Sequence, residues 1–94
     1  MKPSLIRRLT YKLEISNSAK KDFQRIPNVY QEKIREAIRS LPADPRPDGV
    51  VKLKGFQDLY RIRVGDYRVI YSVHDSIKIV TILKVSQHGG AYRA

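Results

Sequence analysis

Alternating apolar and polar positions predict a β-hairpin over residues 59–73. The segment reads LYRIRVGDYRVIYSV, and Gly65-Asp66 is a two-residue link of the kind that joins the strands of a tight hairpin. With these two residues in the turn, Arg63 lies opposite Arg68. One face of the hairpin then carries an apolar set: Tyr60, Ile62, Val64, Tyr67, Val69, Tyr71 and Val73.

The other face of this hairpin is cationic. It carries Arg61, Arg63 and Arg68, together with Ile70 and Ser72. Like charges directly opposite each other on neighbouring strands destabilise the pair, and a small domain has a narrow margin of stability. The hairpin alone leaves two interpretations open: the guanidinium groups are solvated, or an anion binds between them.

The N-terminal part of the chain predicts a strand and a short helix. Residues 11–15 alternate, as expected of a half-buried strand. Apolar residues at helical spacing follow around Phe23, with Asn17 or Ser18 as the expected N-cap. Pro27 ends this helix.

A second helix is predicted from Asn28 to the residue before Pro42. Asn28 and Gln31 have the spacing of a capping box. The charged residues beside the apolar stripe form a solvated face or, alternatively, the rim of a docking groove for a partner segment. The stripe itself is Tyr30, Ile34, Ala37, Ile38 and Leu41.

Residues 50–55 predict a short edge strand or ordered loop that leads into the hairpin. The alternation places Val51 and Leu53 inward and Lys52 and Lys54 outward. Such lysines are common on edge strands, where they discourage aggregation.

The last strand is predicted over residues 77–85, after a turn at residues 74–76. It is apolar at most positions, which is typical of a strand covered on both faces. The expected fold is α+β: an N-terminal strand, a two-helix hairpin, and a three-stranded antiparallel segment that completes a small twisted sheet with helices on one face. We expect residues 1–10 to be a basic extension and residues 11–94 to be a single domain.

The net charge of the chain narrows the class of molecule that it is expected to bind. The 94 residues include 19 Lys and Arg against 9 Asp and Glu, a formal net charge of +10. Such an excess predicts a polyanionic partner, either nucleic acid or an acidic protein; the alternative is a basic surface that only keeps the domain in solution. Cysteine is absent, and no apolar run has the length of a membrane span, so no membrane partner is expected.

The acidic residues do not suggest a metal-dependent nuclease. From Lys52 onward they are Asp58, Asp66 and Asp75, each in a predicted turn, whereas Mg²⁺ sites need clustered carboxylates. No phosphate-binding glycine loop and no nucleophile–base set is present. No cofactor is expected.

Cations with a histidine and a tyrosine nevertheless suffice to cleave RNA, because RNA supplies its own nucleophile in the 2′-OH. Arginine binds phosphate through two hydrogen bonds, and histidine transfers protons near neutral pH. His88 and Tyr92 in the C-terminal tail are the candidates for this chemistry. Each has a simpler interpretation: His88 beside two glycines as a loop residue, and Tyr92 as a packing residue.

The run KLKGFQDLYRIRVGDYRVIYSV, preceded by PADPRP and two helices, resembles the RelE/ParE superfamily of toxin–antitoxin toxins over residues 11–93. The sequence is more similar to the RelE-like branch. That resemblance implies a ribosome-dependent mRNA interferase, which enters the ribosomal A site and cuts mRNA by 2′-OH attack without metal.

The resemblance also assigns site residues. It implies catalytic roles for Arg61, Arg68, His88 and Tyr92, and RNA or phosphate binding by Lys52, Lys54 and Arg63. Many members end in V-G-H-R-R-x-V-Y-R, whereas this chain ends in VSQHGGAYR before its last residue. The family's histidine is therefore Gln87 here, and its arginine is His88, for which we expect a role in proton transfer.

The partners implied by the resemblance are a cognate acidic antitoxin and mRNA on the ribosome, with contacts to ribosomal RNA. Operator DNA is expected only through the antitoxin complex, and the location is expected to be the cytoplasm. Two other functions stay open: a ParE-like inhibitor of DNA gyrase without nuclease activity, and a catalytically degenerate binding module.

Overall fold

A computed structural model describes residues 10–87 and shows two helices packed on one five-stranded sheet. The strand order is β1-β5-β4-β3-β2; β1 runs parallel to β5, and the other neighbours are antiparallel. The predicted α+β architecture is confirmed. The elements are β1 (Lys12–Ile15), α1 (Asn17–Gln24), α2 (Asn28–Ser40), β2 (Val51–Lys52), β3 (Leu59–Val64), β4 (Tyr67–His74) and β5 (Ile79–Gln87).

The predicted hairpin is confirmed residue by residue. Val64 pairs with Tyr67, and Arg63 pairs with Arg68. Gly65 has a φ of 60°, while Asp66 is not among the residues of positive φ. A positive φ at the first turn residue alone is the signature of a type II′ turn, which favours glycine there and matches the twist of the two strands.

The core lies between the helices and one face of the sheet. α1 and α2 bury Ala19, Ile34 and Ile38, because these residues recur at helical spacing on the sides that meet the sheet. The sheet contributes the apolar face predicted for the hairpin and the alternate residues of β5. The buried sheet residues are Tyr60, Ile62, Val69, Tyr71, Val73, Val80, Ile82 and Val85.

Both predicted helix caps are wrong. Ser16 caps α1, and its side chain accepts a hydrogen bond from the Ala19 amide at 3.0 Å. α2 has Pro27 in the N-cap position and no side-chain cap. The Gln31 side chain instead donates to the carbonyls of Phe23 and Ile26, at 3.0 Å each, so it ties α2 to the end of α1.

β5 starts later than predicted and is fully covered on one face only. Residues 75–78 form a turn in which Lys78 has a φ of 57°, and Ile77 in this turn is exposed. Burial then alternates along the strand: Val80 and Ile82 are buried, whereas Thr81 is partly exposed. A bulge sets in near residue 83, where the register against β4 shifts.

The orientation predicted for β2 is reversed. Val51 pairs with Arg61 and Lys52 pairs with Tyr60, and residues directly opposite in an antiparallel pair share a face. Val51 therefore lies on the arginine face, while Lys52 lies on the helix side at the edge of the sheet. The two-residue strand is too short for its alternation to be assigned from sequence.

The loop after α2 is fixed to the sheet by a polar cluster around Arg46. The guanidinium donates to the Asp75 carboxylate, with the Nη2 to Oδ2 distance at 2.8 Å, and to the Tyr60 hydroxyl at 3.1 Å. Tyr11 donates to the same carboxylate. These hydrogen bonds, led by that from Arg46, lower the pKa of Asp75 to about 2.

Candidate functional site

Three arginines lie on the face of the hairpin that points away from the helices. Arg61 pairs with Ile70 and Arg63 pairs with Arg68, so the two strands present them side by side. Directly opposite residues in an antiparallel pair have Cα atoms about 4.5–5.5 Å apart. Arg61 and Arg63, two positions apart on β3, are separated by about 7 Å along the strand. The three guanidinium groups can thus meet a single phosphate or two successive ones.

Arg61 and Arg63 lack an ion-pair partner within residues 10–87. Arg68 lies opposite Ser86 of β5, and Ile70 lies between Arg61 and the next strand. Arg63 donates to the Gly65 carbonyl at 3.3 Å. A carboxylate on this face is that of Glu14 on β1, at the far edge of the sheet.

The exposure of the arginines differs. Arg63 is exposed, while Arg61 and Arg68 are partly buried on the sheet surface. Partial burial restricts the rotamers of a long side chain, so less freedom is lost when the guanidinium binds. The face thus combines two partly buried cations, Arg61 and Arg68, with the exposed Arg63.

The other predicted site residues are distributed more widely. Lys54 is exposed in the loop between β2 and β3, and Lys52 lies on the opposite side of the sheet from Arg61. His88 and Tyr92 fall outside the described residues. Gln87, the last described residue, pairs with Tyr67 beside the hairpin turn, and Ser86 pairs with Arg68.

A groove that the sequence indicated only as an alternative lies between the two helices and β1. Its volume is about 420 Å³. Leu13, Phe23 and Ile38 supply an apolar floor, and Arg35 covers the Phe23 ring with its guanidinium carbon 5.1 Å from the ring centroid. The rim also includes Lys20 and Arg39, so the groove is apolar at the bottom and cationic at the edge.

A second cavity of about 320 Å³ lies where β5 ends beside α1. Tyr67 forms one wall and packs against Tyr30, with the ring centroids 5.7 Å apart. Asp22 accepts a hydrogen bond from the Val85 amide at 2.9 Å and lies 3.7 Å from the Lys84 ammonium. No sequence pattern predicts this cavity, because it depends on the bulge in β5 and on contacts between β5 and α1, which are far apart in the chain.

Residues 10–87 present neither a metal-binding cluster nor a membrane-spanning helix. No group of three or more His, Cys, Asp or Glu side chains is placed to hold a metal ion in this part of the chain. No helix in it has the length and apolar character needed to cross a membrane.

Comparison with known proteins identifies the family. The family described as ParE toxin of type II toxin–antitoxin system, parDE, matches residues 13–92. The chain belongs to the RelE/ParE toxin superfamily. A relative from Methanocaldococcus jannaschii, named for the toxin RelE1, is 33% identical over 90% of this chain and 98% of its own. Toxin RelE of Mycobacterium tuberculosis is 31% identical over 88% of this chain and 87% of its own.

The fold of this toxin is that of solved RelE proteins. The crystal structure of the archaeal RelE–RelB complex from Pyrococcus horikoshii has a chain that matches with a TM-score of 0.76 and 39% identity, over 90% of this chain and 99% of that one. The predicted resemblance is therefore confirmed for both family and fold, and the relatives named RelE agree with the predicted branch.

Proposed function

We propose that this toxin is a ribosome-dependent endoribonuclease that cuts mRNA in the A site by 2′-OH attack. The observation that carries the proposal is the arginine face of β3 and β4. Arg63 is directly opposite Arg68, with Arg61 beside them, on a sheet surface that the helices leave open. Guanidinium groups bind phosphate through paired hydrogen bonds, so this cationic surface fits the backbone of RNA.

In this mechanism the RNA 2′-oxygen loses its proton and attacks the neighbouring phosphorus. The bond to the 5′-oxygen of the next nucleotide breaks, and that oxygen takes up a proton; the products are a 2′,3′-cyclic phosphate and a 5′-hydroxyl. Arg61 and Arg68 stabilise the charge that grows on the phosphoryl oxygens, and Arg63 binds phosphate. No step requires a metal or a cofactor.

Residues of the tail and of the β2 segment complete the proposed machinery. His88 transfers a proton, and Tyr92 orients the phosphate or stacks on a base. Lys52 and Lys54 contact messenger or ribosomal RNA. Lys52 does so from the edge of the sheet, since its side chain starts on the helix side.

The proposed protein partner is a cognate acidic antitoxin of the RelB type. The relative from Pyrococcus horikoshii was solved as a complex with RelB. On this chain the helix groove fits an amphipathic segment, whose apolar side would cover Phe23 and Ile38 and whose carboxylates would face Lys20 and Arg39. Operator DNA would be bound only through that complex, in the cytoplasm.

The direct test adds purified protein to translating ribosomes and follows the integrity of the message. We expect cleavage by the wild type, and a loss of at least about 100-fold in cleavage rate in Arg68→Ala, as for other groups that stabilise a transition-state oxyanion. Lys33→Ala removes an exposed cation of α2 and serves as the matched control, with unchanged rate. Intact message with the wild-type protein would contradict the proposal.

Inhibition of DNA gyrase is the second candidate. It is favoured by the family description, which names ParE, and by the tail, where His88 replaces the arginine of the RelE pattern. A supercoiling assay with purified gyrase separates the two functions, because a gyrase inhibitor blocks supercoiling and leaves mRNA intact.

A further inference from the structure

The loop between β2 and β3 presents an aromatic ring to solvent. Phe56 is 59% exposed, in contrast to Phe23, which is covered by Arg35. Within the described part of the chain, the Phe56 ring stacks on no other ring and on no cation. Single exposed apolar side chains are common on protein surfaces, so exposure by itself carries no function.

The loop that carries Phe56 is held at both ends. The Leu53 amide donates to the Leu59 carbonyl at 3.0 Å, and the Val73 amide donates to the Asp58 carbonyl at 3.0 Å. Gly55 has a φ of 85°, a backbone conformation that favours glycine and turns the chain immediately before the ring. Phe56 therefore lies in a turn whose two ends are fixed by backbone hydrogen bonds.

Two lysines precede the ring in the sequence. Residues 50–57 read VVKLKGFQ and contain no acidic residue, and the carboxylate of Asp58, which follows, lies 3.7 Å from His74 Nδ1. Lys54, two positions before Phe56, is exposed. An aromatic ring beside cations is the arrangement by which proteins bind single-stranded nucleic acid, since the cations meet the phosphates and the ring stacks on a base.

The loop that carries the ring precedes β3, the strand that carries Arg61 and Arg63. Arg63 and Arg61 follow each other on β3, and the strand continues from Arg61 to Leu59 over about 7 Å. The Leu59 carbonyl accepts the hydrogen bond from the Leu53 amide, and Phe56 lies in the loop that this hydrogen bond closes. A single strand of RNA bound by the arginines thus reaches the loop within a few nucleotides.

We propose that Phe56 stacks on a base of the message a few nucleotides from the scissile phosphate, and thereby positions the RNA and contributes to the choice of cleavage site. This inference rests on the proposed function and adds a positioning residue to it. Phe56 is not part of the chemical step, because the chemistry requires only the arginines and the proton-transfer group.

The test uses ribosomes whose A-site codon carries 2′-O-methyl riboses, so that the message binds but is not cut. Each base of this codon, and the base that follows it, is replaced in turn by 2-aminopurine. The fluorescence of 2-aminopurine reports stacking, because stacking on an aromatic ring quenches it. We expect quenching at one position with the wild type, and loss of that quenching in Phe56→Ala together with binding that is weaker by about 5- to 150-fold. Phe56→Tyr keeps the ring and should retain the quenching.

Two control variants separate the loss of base stacking from the loss of a phosphate contact and from a general effect of removing an exposed apolar side chain. Lys54→Ala should lower the salt dependence of binding, whereas Phe56→Ala should leave that dependence unchanged. Val29→Ala removes an exposed apolar side chain of α2 and should bind as the wild type does.

Two outcomes overturn the inference while the proposed function stands. In the first, the wild type cleaves unmodified message, but Phe56→Ala binds and quenches as the wild type does. In the second, Phe56→Ala weakens binding of the antitoxin and leaves RNA binding unchanged, which would make the loop a protein interface. A wild type that neither binds nor cleaves would overturn the proposed function together with this inference.

Discussion

At the scale of single residues, one arginine of this chain stabilises the fold through hydrogen bonds, and two others on the hairpin form no ion pair within the described residues. Arg46 is bound to Asp75 and Tyr60, and these hydrogen bonds, that to Asp75 first, raise its pKa well above the ordinary range. Arg61 and Arg63 have no ion-pair partner among residues 10–87. The sequence could not distinguish these groups, since Arg46 and Asp75 are 29 positions apart and meet only after the sheet has formed.

The Asp75 carboxylate should make stability depend on acid pH. Its pKa is about 2 in the folded chain, against an ordinary value of 3.8, because Arg46 and Tyr11 hold its charged form. Its contribution is therefore present above about pH 4 and is lost as pH falls towards 2. In thermal melts from pH 7 to pH 2, Asp75→Asn should lose less stability on acidification than the wild type, whereas Asp48→Asn should follow the wild type. Parallel curves for Asp75→Asn and wild type would show that the carboxylate does not contribute in this way.

At the scale of elements, the hairpin was predicted in full, whereas the N-caps of the two helices were not. The alternation of apolar and polar residues predicts the two strands, and the Gly-Asp link predicts the turn. Together they determine the pairing register, because a shift of one residue would expose the whole apolar face. Helix starts are ambiguous when Ser16, Asn17 and Ser18 stand in a row. The contact with β5 decides between them, since the Ser16 hydroxyl also donates to the Leu83 carbonyl at 3.2 Å.

The cap of α1 can be tested with neighbouring serines. Ser16→Ala should lower the free energy of unfolding by about 1 kcal/mol, because the Ala19 amide loses its acceptor. Ser18→Ala is the matched control and should have a much smaller effect, since Ser18 lies inside the helix. Urea unfolding followed by circular dichroism measures both. An equal loss in the two variants would argue against Ser16 as the cap.

The arginine pair on the hairpin should oppose folding and favour binding. Arg63→Gln removes one of two facing charges and should raise the free energy of unfolding by about 0.2–1 kcal/mol, most clearly at low salt. The same variant should bind ribosome-associated RNA more weakly. Arg25→Gln, which removes a cation of the segment after α1, should leave RNA binding unchanged. A variant at position 63 that gained no stability would indicate that the guanidinium groups avoid each other in the free protein.

At the scale of the whole molecule, the two interaction surfaces lie on different sides of one sheet. The arginine face is on the side that the helices leave open, while the groove is formed by the helices with β1. In the hairpin, the sequence predicted which side chains face the core and which form the cationic face, because the two kinds of residue alternate along each strand. It did not predict the parallel pairing of β1 with β5 or the groove beside it, since both depend on contacts between residues far apart in the chain.

The most direct measurement maps the ends of mRNA after the protein acts on translating ribosomes. We expect cuts inside the codon held in the A site, with a 5′-hydroxyl on the downstream fragment. Arg68→Ala should abolish these cuts while the folded structure persists, and Lys33→Ala should retain them. Intact messages together with blocked supercoiling by DNA gyrase would contradict a role in mRNA cleavage, since the arginine face would then serve a protein target.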